Sequence, residues 1–286
     1  MKPLQGMGMH LNLMNAQRSR KMKAYQAVLI IISIIVTSFV TSQVYSFEGY
    51  DKHPMYGNSI FPLTDADIKL SEIKVLMIRK ENDIATKVTS EYVLENQSKK
   101  EVKFEVAFPV DSNCLGCTRM PDDFKVSVND GTIKTSTSKI MSKDFYSRIR
   151  KTLGLEDTAY QKEIYEIPLI MWEVSFKPKE KKTITIRYTM EWIGDPRGES
   201  LNHRLGALYL WKGKINKAYF RLELPADLID NIKAQDPSIW PKITIDPKRY
   251  QVKDHAIEWF FKDLKQEKVN HIRISVNYRK PGVVGD

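Results

Sequence analysis

The chain has 286 residues, with 45 Lys and Arg against 35 Asp and Glu, 42% hydrophobic residues and two cysteines. This length suffices for one large or two small domains with a substantial core, so no disulfide or metal staple is required. Half of the formal +10 charge sits in residues 1–46, and the rest is interleaved with acid, as in Lys179-Glu180-Lys181. That distribution lacks the concentrated basic face of a nucleic-acid binder and reads as a solvated, mixed-charge surface, with weak attraction to anionic cell-surface polymers as the lesser alternative.

The head carries Lys2, Arg18, Arg20, Lys21 and Lys23 and no acid. An uncharged stretch, Ala24 to Phe47, follows it, with a fourteen-residue apolar centre from Ala27 to Val40 that includes Ile31 and Ile35. Positive charge stays on the cytoplasmic side of an inserting segment, so everything beyond residue 47 is expected outside the cytoplasm. Fourteen apolar residues suit the core of a signal peptide. In that reading the cut follows Ser46 or Ser42. Counted from Ala24 to Val44, the segment reaches the length of a membrane anchor. Both readings deliver the body across a membrane, secreted if the leader is cut and anchored if it is not, and an ordinary signal peptide would begin at Met22. Residues 1–23 form the head, 24–46 the leader or anchor, and 47–66 a linker punctuated by Pro54, Gly57 and Pro62.

Beyond residue 67 the period-two alternation of strands dominates. Ile68, Leu70, Ile73, Val75 and Met77 form one run, with a slip near Glu72 that predicts a bulge. Val88 to Leu94 and Val102 to Phe108 follow, joined by a polar turn over Asn96–Lys100. Phe124, Val126 and Val128 lead to Asn129-Asp-Gly131, a hairpin signal. Residues 67–140 thus read as a first sandwich unit in the immunoglobulin-like size range. Phe145, Ile149 and Leu153 recur every four residues and predict a short helix whose cations Lys143, Arg148, Arg150 and Lys151 face water. Strands resume over 161–280, with a turn at Lys177–Lys181 and a lapse between Pro225 and Pro241. The predicted fold is all-β. It is a mainly antiparallel sandwich, single or as two packed sandwiches, with one short helix and an N-terminal apolar helix.

The sharpest local motif is Cys114-Leu-Gly-Cys117. Outside the cytoplasm this pair predicts a tight structural disulfide, with redox exchange or metal binding as alternatives. Zinc would need further ligands, and the five histidines form no spaced pair. Asp65-Ala-Asp67 and Asp122-Asp123 are acids near turns, with no nucleophile elbow or phosphate-cradling loop to join them. No catalytic residue, metal site or cofactor is therefore expected. Asn96-Gln-Ser98 matches a glycosylation acceptor. Trp172 and Trp259 alternate with strand residues and are expected in the core. Trp211, beside Lys212-Gly213 at a strand end, is the expected exposed ligand contact.

Trp172-x-Val-x-Phe-x-Pro-x-Glu180 followed by Ile184-x-Ile-x-Tyr188 resembles a signature of uncharacterised bacterial extracytoplasmic β-sandwich proteins with a domain of unknown function. Tyr56–Pro62, Glu91–Asn96, Val106–Pro109 and Leu208–Ile215 are similar to further landmarks of that group, and the insertion around Cys114 departs from it. The resemblance implies an immunoglobulin-like fold and a place in the cell envelope, and no catalytic residue. The resulting expectation is a non-enzymatic, exported or anchored envelope protein that binds a protein or cell-wall polymer. An envelope thiol-disulfide factor using Cys114 and Cys117 is the alternative.

Overall fold

Alternating apolar and polar residues leave most of this chain one arrangement that buries one face and solvates the other, the strand. The computed structural model describes residues 58–81, 85–110, 123–153, 166–195, 198–234, 241–264 and 271–278. The apolar segment with Ala27, Ile31, Ile35 and Val40 lies outside these residues, as does the Cys114/Cys117 pair. In chain order the elements begin with β1 (Phe61–Pro62), β2 (Ile68–Arg79), β3 (Ala85–Asn96) and β4 (Val102–Pro109). Next come β5 (Lys125–Val128), β6 (Gly131–Thr132), β7 (Ser136–Met141), helix α1 (Ser142–Leu153), β8 (Glu166–Phe176) and β9 (Lys181–Glu191). After β10 (Ile193–Asp195) and β11 (Gly198–Arg204), a 3-10 turn (Gly206–Leu210) leads to β12 (Ile215–Glu223) and helix α2 (Ala226–Ala234). The last strands are β13 (Lys242–Asp246), β14 (Gln251–Lys253), β15 (Ala256–Leu264) and β16 (His271–Asn277).

The strands make an eight-stranded sheet in the order β14-β15-β12-β2-β3-β9-β5-β6 and two four-stranded sheets, β1-β4-β8-β7 and β10-β11-β16-β13. The all-β expectation therefore holds, with α2 as a second helix in the stretch where the alternation lapses. Leu228, Ile229 and Ile232 of α2 are buried, so a helix period replaces the strand period there. Both small sheets pack on the same face of the large one. Phe108 of β4 meets Tyr188 of β9 with ring centroids 5.2 Å apart, and His203 of β11 meets Phe220 of β12 at 6.1 Å. The core between them includes Tyr92, Trp172, Phe176 and Trp259, each 3% exposed or less. The far face of the first small sheet is covered too. There Phe145 of α1 packs edge-on against Phe61 at 4.9 Å, within a satellite cluster holding Ala107, Ile167, Leu169 and Ala207. Arg148 is not simply solvated, because it donates to the Pro62 carbonyl at 2.9 Å and fastens α1 to β1.

The consecutive units expected over 67–140 and 161–280 give way to a single compact unit, residues 54–286. In the large sheet β9 inserts between β3 and β5, and β2 pairs in parallel with β12. Alternation says that a segment is a strand and not which strand it will pair with, so the division at residue 140 has no counterpart in the pairing. The two expected turns are present, with the Glu180 N–H on the Lys177 carbonyl at 3.1 Å, but neither closes a hairpin. Strands β3 and β4 do not pair with each other, nor do β8 and β9. Instead β3 pairs with β9 in the large sheet, and β4 pairs with β8 in the first small sheet. Residues 96–101 and 177–180 thus form a corner at which a two-stranded ribbon passes from one sheet to the other.

Asn96, fully buried, holds this corner. Its backbone N–H donates to the Glu180 carbonyl at 3.0 Å. Its side-chain amide donates to the carbonyls of Lys100 at 2.8 Å and Lys177 at 2.9 Å. Its Oδ1 accepts from the Ser98 N–H at 2.9 Å and hydroxyl at 2.8 Å. The glycosylation match at Asn96-Gln-Ser98 is therefore a structural device, since its acceptor nitrogen is enclosed and occupied in the folded chain.

Two local expectations hold. The pairing of β2 with β3 slips at Leu70/Glu72, where Ser71 is the extra residue of a bulge. Asn129 and Asp130, at φ 46° and 66°, form a two-residue turn with both φ values positive between Val128 and Gly131. A close approach at Gly198 yields a further expectation. A Cβ there would stand 2.6 Å from the Val276 carbonyl oxygen and 3.2 Å from the Asn277 Cα, both backbone atoms of the paired strand β16. Gly198→Ala is expected to cost about 1–3 kcal/mol by prising β11 from β16. Gly131→Ala, whose nearest neighbour is at 3.4 Å, should fall within about 0.5 kcal/mol of the parent. Denaturant midpoints of the two variants test the contrast, and equal midpoints would refute it.

Candidate interaction surface

Trp211, expected as an exposed ligand contact, is instead a core residue with 2% exposure. Its indole meets Phe104 edge-on at 6.2 Å and donates to the Ile60 carbonyl at 2.8 Å. The indole N–H is satisfied inside, so nothing draws this ring to the surface. Solvent takes the following Lys212-Gly213-Lys214, where Gly213 turns the chain at φ 77°.

Among the described residues, the outer face of the eight-stranded sheet is open and broad enough for a partner. Its inner side chains pack under the small sheets, and the intervening residues of each strand point away. One row crosses the face from Glu258 through Arg221, Leu76, Thr89 and Arg187 to Lys125. The next begins with Phe260 and Tyr219 and continues through Lys74, Glu91 and Thr185. Pairing across strands, not nearness in sequence, gathers these residues.

At the β12–β15 end this face carries a fixed polar network beside an exposed ring. Tyr219 donates to Glu258 Oε1 at 2.8 Å, and Arg221 bonds both Glu223, at 2.9 Å, and Glu258. Burial alone would raise the Glu258 carboxyl, but the Tyr219 and Arg221 donors outweigh it and hold it below the usual carboxylate range. Burial and then the Glu258 acceptor push the Tyr219 phenol up. Phe260 stands directly across from Tyr219 and is 49% exposed. Phe260 and Tyr278 are the exposed large hydrophobic residues among those described.

At the opposite end the face is cationic. Lys125 and Arg187 stand directly opposite each other across β5 and β9, and Lys87 of β3 lies diagonally beyond Arg187, opposite Thr189. All three are exposed, with Thr89 opposite Arg187, Thr189 opposite Lys87, and Thr185 two residues along β9 from Arg187. Three other lysines on the sheet lie beside acids: Lys74 by Glu91 at 3.8 Å, Lys181 by Glu95 at 3.6 Å, and Lys217 by Glu72 at 3.5 Å. Sequence reasoning missed Lys87, Lys125 and Arg187. They are separated by up to 100 residues, and only the pairing register places them together.

A second polar constellation ties the large sheet to the second small sheet. Arg79 donates to Glu199 Oε1 at 2.7 Å, with both side chains about nine-tenths buried (10% and 12% exposed). Its guanidinium lies 4.1 Å from the centre of the Trp192 ring, whose N–H donates to Thr86 Oγ1 at 2.7 Å. Tyr278 donates to the same carboxylate, and burial followed by that contact pushes its phenol up to about 12. Enclosed charges of this kind fix geometry more than they add stability.

Among the described residues no three His, Cys, Asp or Glu gather as a metal site, and no helix is long and apolar enough to cross a membrane. No protein-family model matches the sequence, and no curated protein does. Among solved structures the chain is similar to a "putative nutrient binding protein" from Legionella pneumophila, at TM-score 0.55 and 16% identity over 76% of this chain and 70% of that one. It is also similar to yeast LTA4 hydrolase in complex with bestatin, at TM-score 0.38 and 9% identity over 79% of this chain and 31% of that one. A third is an M1 zinc metallopeptidase from Deinococcus radiodurans, at TM-score 0.33 and 6% identity over 74% and 42%. The chain thus spans less than half the length of either enzyme. The Legionella likeness is one of fold.

Proposed function

We propose that the chain is a non-enzymatic protein of the bacterial cell envelope, exported or membrane-anchored by residues 24–46. It binds a protein or cell-wall partner through the open face of its large sheet. The observation that carries this reading is the contrast between the two faces of that sheet. One is buried under two smaller sheets, and the other presents Phe260 beside a hydrogen-bonded Tyr219–Glu258–Arg221 set. An exposed ring next to immobilised polar groups is the composition of a contact surface, in which large side chains bind with little further loss of freedom. The one-sided charge of the head supports delivery out of the cytoplasm, and the Legionella neighbour, too, is named for binding. Cys114-Leu-Gly-Cys117 supports a second reading, thiol-disulfide exchange in the envelope. Retention of the partner by a chain lacking both thiols separates the two.

The test is a photo-cross-linking residue at position 260 of the full chain in its own cells. A discrete cross-linked species in the envelope fraction is expected, and it should be absent when the same residue replaces buried Phe220. Recovery of the chain from the cytosol, or identical products from both positions, would overturn the proposal.

A further inference from the structure

We infer that the β3–β9–β5 end of the open face binds a flexible phosphodiester polymer of the cell wall. The inference rests on the envelope-binding reading and names its ligand class. Lys125 and Arg187 are direct cross-strand neighbours. Like charges so placed repel, which destabilises a sheet unless a counter-charge lies over them. No acid among the described residues pairs with Lys87, Lys125 or Arg187, whereas Lys74, Lys181 and Lys217 of this face sit within 3.5–3.8 Å of acids. Among the described residues no acid supplies the charge complement, so a ligand that supplies it gains attraction and relieves repulsion together.

The layout selects among anions. At about 4.8 Å between strands and ~3.4 Å per residue, Lys125, Arg187 and Lys87 run diagonally for about 12 Å in steps of roughly 5 and 8 Å. Three cations in line on an open face fit a row of charges better than one compact ion. The unequal steps fit a chain that can adjust its charge spacing, which a phosphodiester backbone does and a stiff acidic glycan does not. Arg187 offers paired donors to phosphate oxygens, and Thr89 and Thr189, opposite Arg187 and Lys87, add hydroxyl donors beside the cations. A lipid surface is disfavoured, because the apolar neighbours of the cations, Leu76 and Ile78, are half-buried in the sheet and do not stand out to insert. Nucleic acid is disfavoured because the patch presents no aromatic platform and no element to enter a groove.

Binding of long-chain inorganic polyphosphate to the full chain in nonionic detergent tests this. Polygalacturonate, anionic phospholipid vesicles and duplex DNA are measured alongside it. Polyphosphate should bind tightest, and affinity should fall as salt screens it. The double change Lys125→Gln/Arg187→Gln should weaken binding about tenfold or more. Lys74→Gln, at a lysine paired with Glu91, should leave it within about twofold. Arg187→Lys, which keeps the charge and the surface, should fall between the two and guards against a folding defect. Equal binding by the double variant, no polyphosphate binding, or an equal or tighter complex with any other probe would overturn the inference. If the position-260 cross-link persists while polyphosphate fails, only this inference falls. If both fail, the envelope-binding reading falls with it.

Discussion

Replacing Asn96 by Ala is expected to lower the stability of the folded unit by about 3 kcal/mol, a large loss for an exchange of one small polar residue. The side chain makes four hydrogen bonds of 2.8–2.9 Å inside the corner. Its truncation leaves the Lys177 carbonyl and the Ser98 N–H short of partners in a part-buried corner. An unsatisfied buried group costs ~1–3 kcal/mol. The chain cannot relax around the loss without separating the corner, because Asn96 also closes the backbone ladder onto Glu180. For a domain of this size the melting temperature should fall by about 6–12 °C in calorimetry. Asn96→Asp should do no better. It keeps the acceptor for Ser98 but sets an anion against two carbonyl oxygens. A midpoint within about 0.5 kcal/mol of the parent would show that the corner is held by other contacts.

Acid should destabilise the fold through His203, and His203→Leu should remove much of that sensitivity. The imidazole is fully buried in β11 against Phe220, and neither ring nitrogen has a hydrogen-bond partner. Burial lowers its pKa from 6.5 to about 4. The unfolded chain therefore takes up the proton near pH 6.5 and the folded chain only near pH 4. Between those values the unfolded state binds more protons, so stability falls as the pH is lowered through this window and levels off below it. The total loss across this window is about 3 kcal/mol at ~1.4 kcal/mol per pH unit. Leu is close to imidazole in volume and leaves no unpaired nitrogen, so the variant should gain roughly 1–2 kcal/mol at neutral pH. Urea titrations at pH 7 and pH 4.5 measure both effects. Carboxylates add a background slope common to parent and variant, so the difference between the two slopes carries the result. Parallel slopes would eliminate His203 as the acid-sensitive group.

Both residues show how far the sequence can be read. Asn96 stands in a polar stretch that has the composition of any turn, and its burial follows from the joining of β3 to β9 and of β4 to β8. His203 occupies an inward strand position where alternation predicts an apolar residue, and its side chain alone gives no hint of whether the site is dry. Trp211 shows the converse error. The exposed character of Lys212-Gly213-Lys214 was extended to the preceding indole, which in the fold meets Phe104 and the Ile60 carbonyl. The candidate surface was less legible still. Phe260, Tyr219 and Glu258 come from two strands, and Lys87, Arg187 and Lys125 from three.

The order of residues along the chain sufficed for whatever depends on near neighbours. It established the strand-rich class, the bulge beside Glu72, the Asn129-Asp130 turn, the helix at Ser142 and the core placement of Trp172 and Trp259. Local backbone preference and period-two burial act over a few residues, so a short window contains their cause. Only the tertiary structure decided that one sheet draws strands from both halves, that two apparent hairpins form a corner, and which cations face one another without an acid. Strand pairing is a choice among distant segments with the same alternation. It is settled by the collective fit of the core and not by any segment's own residues.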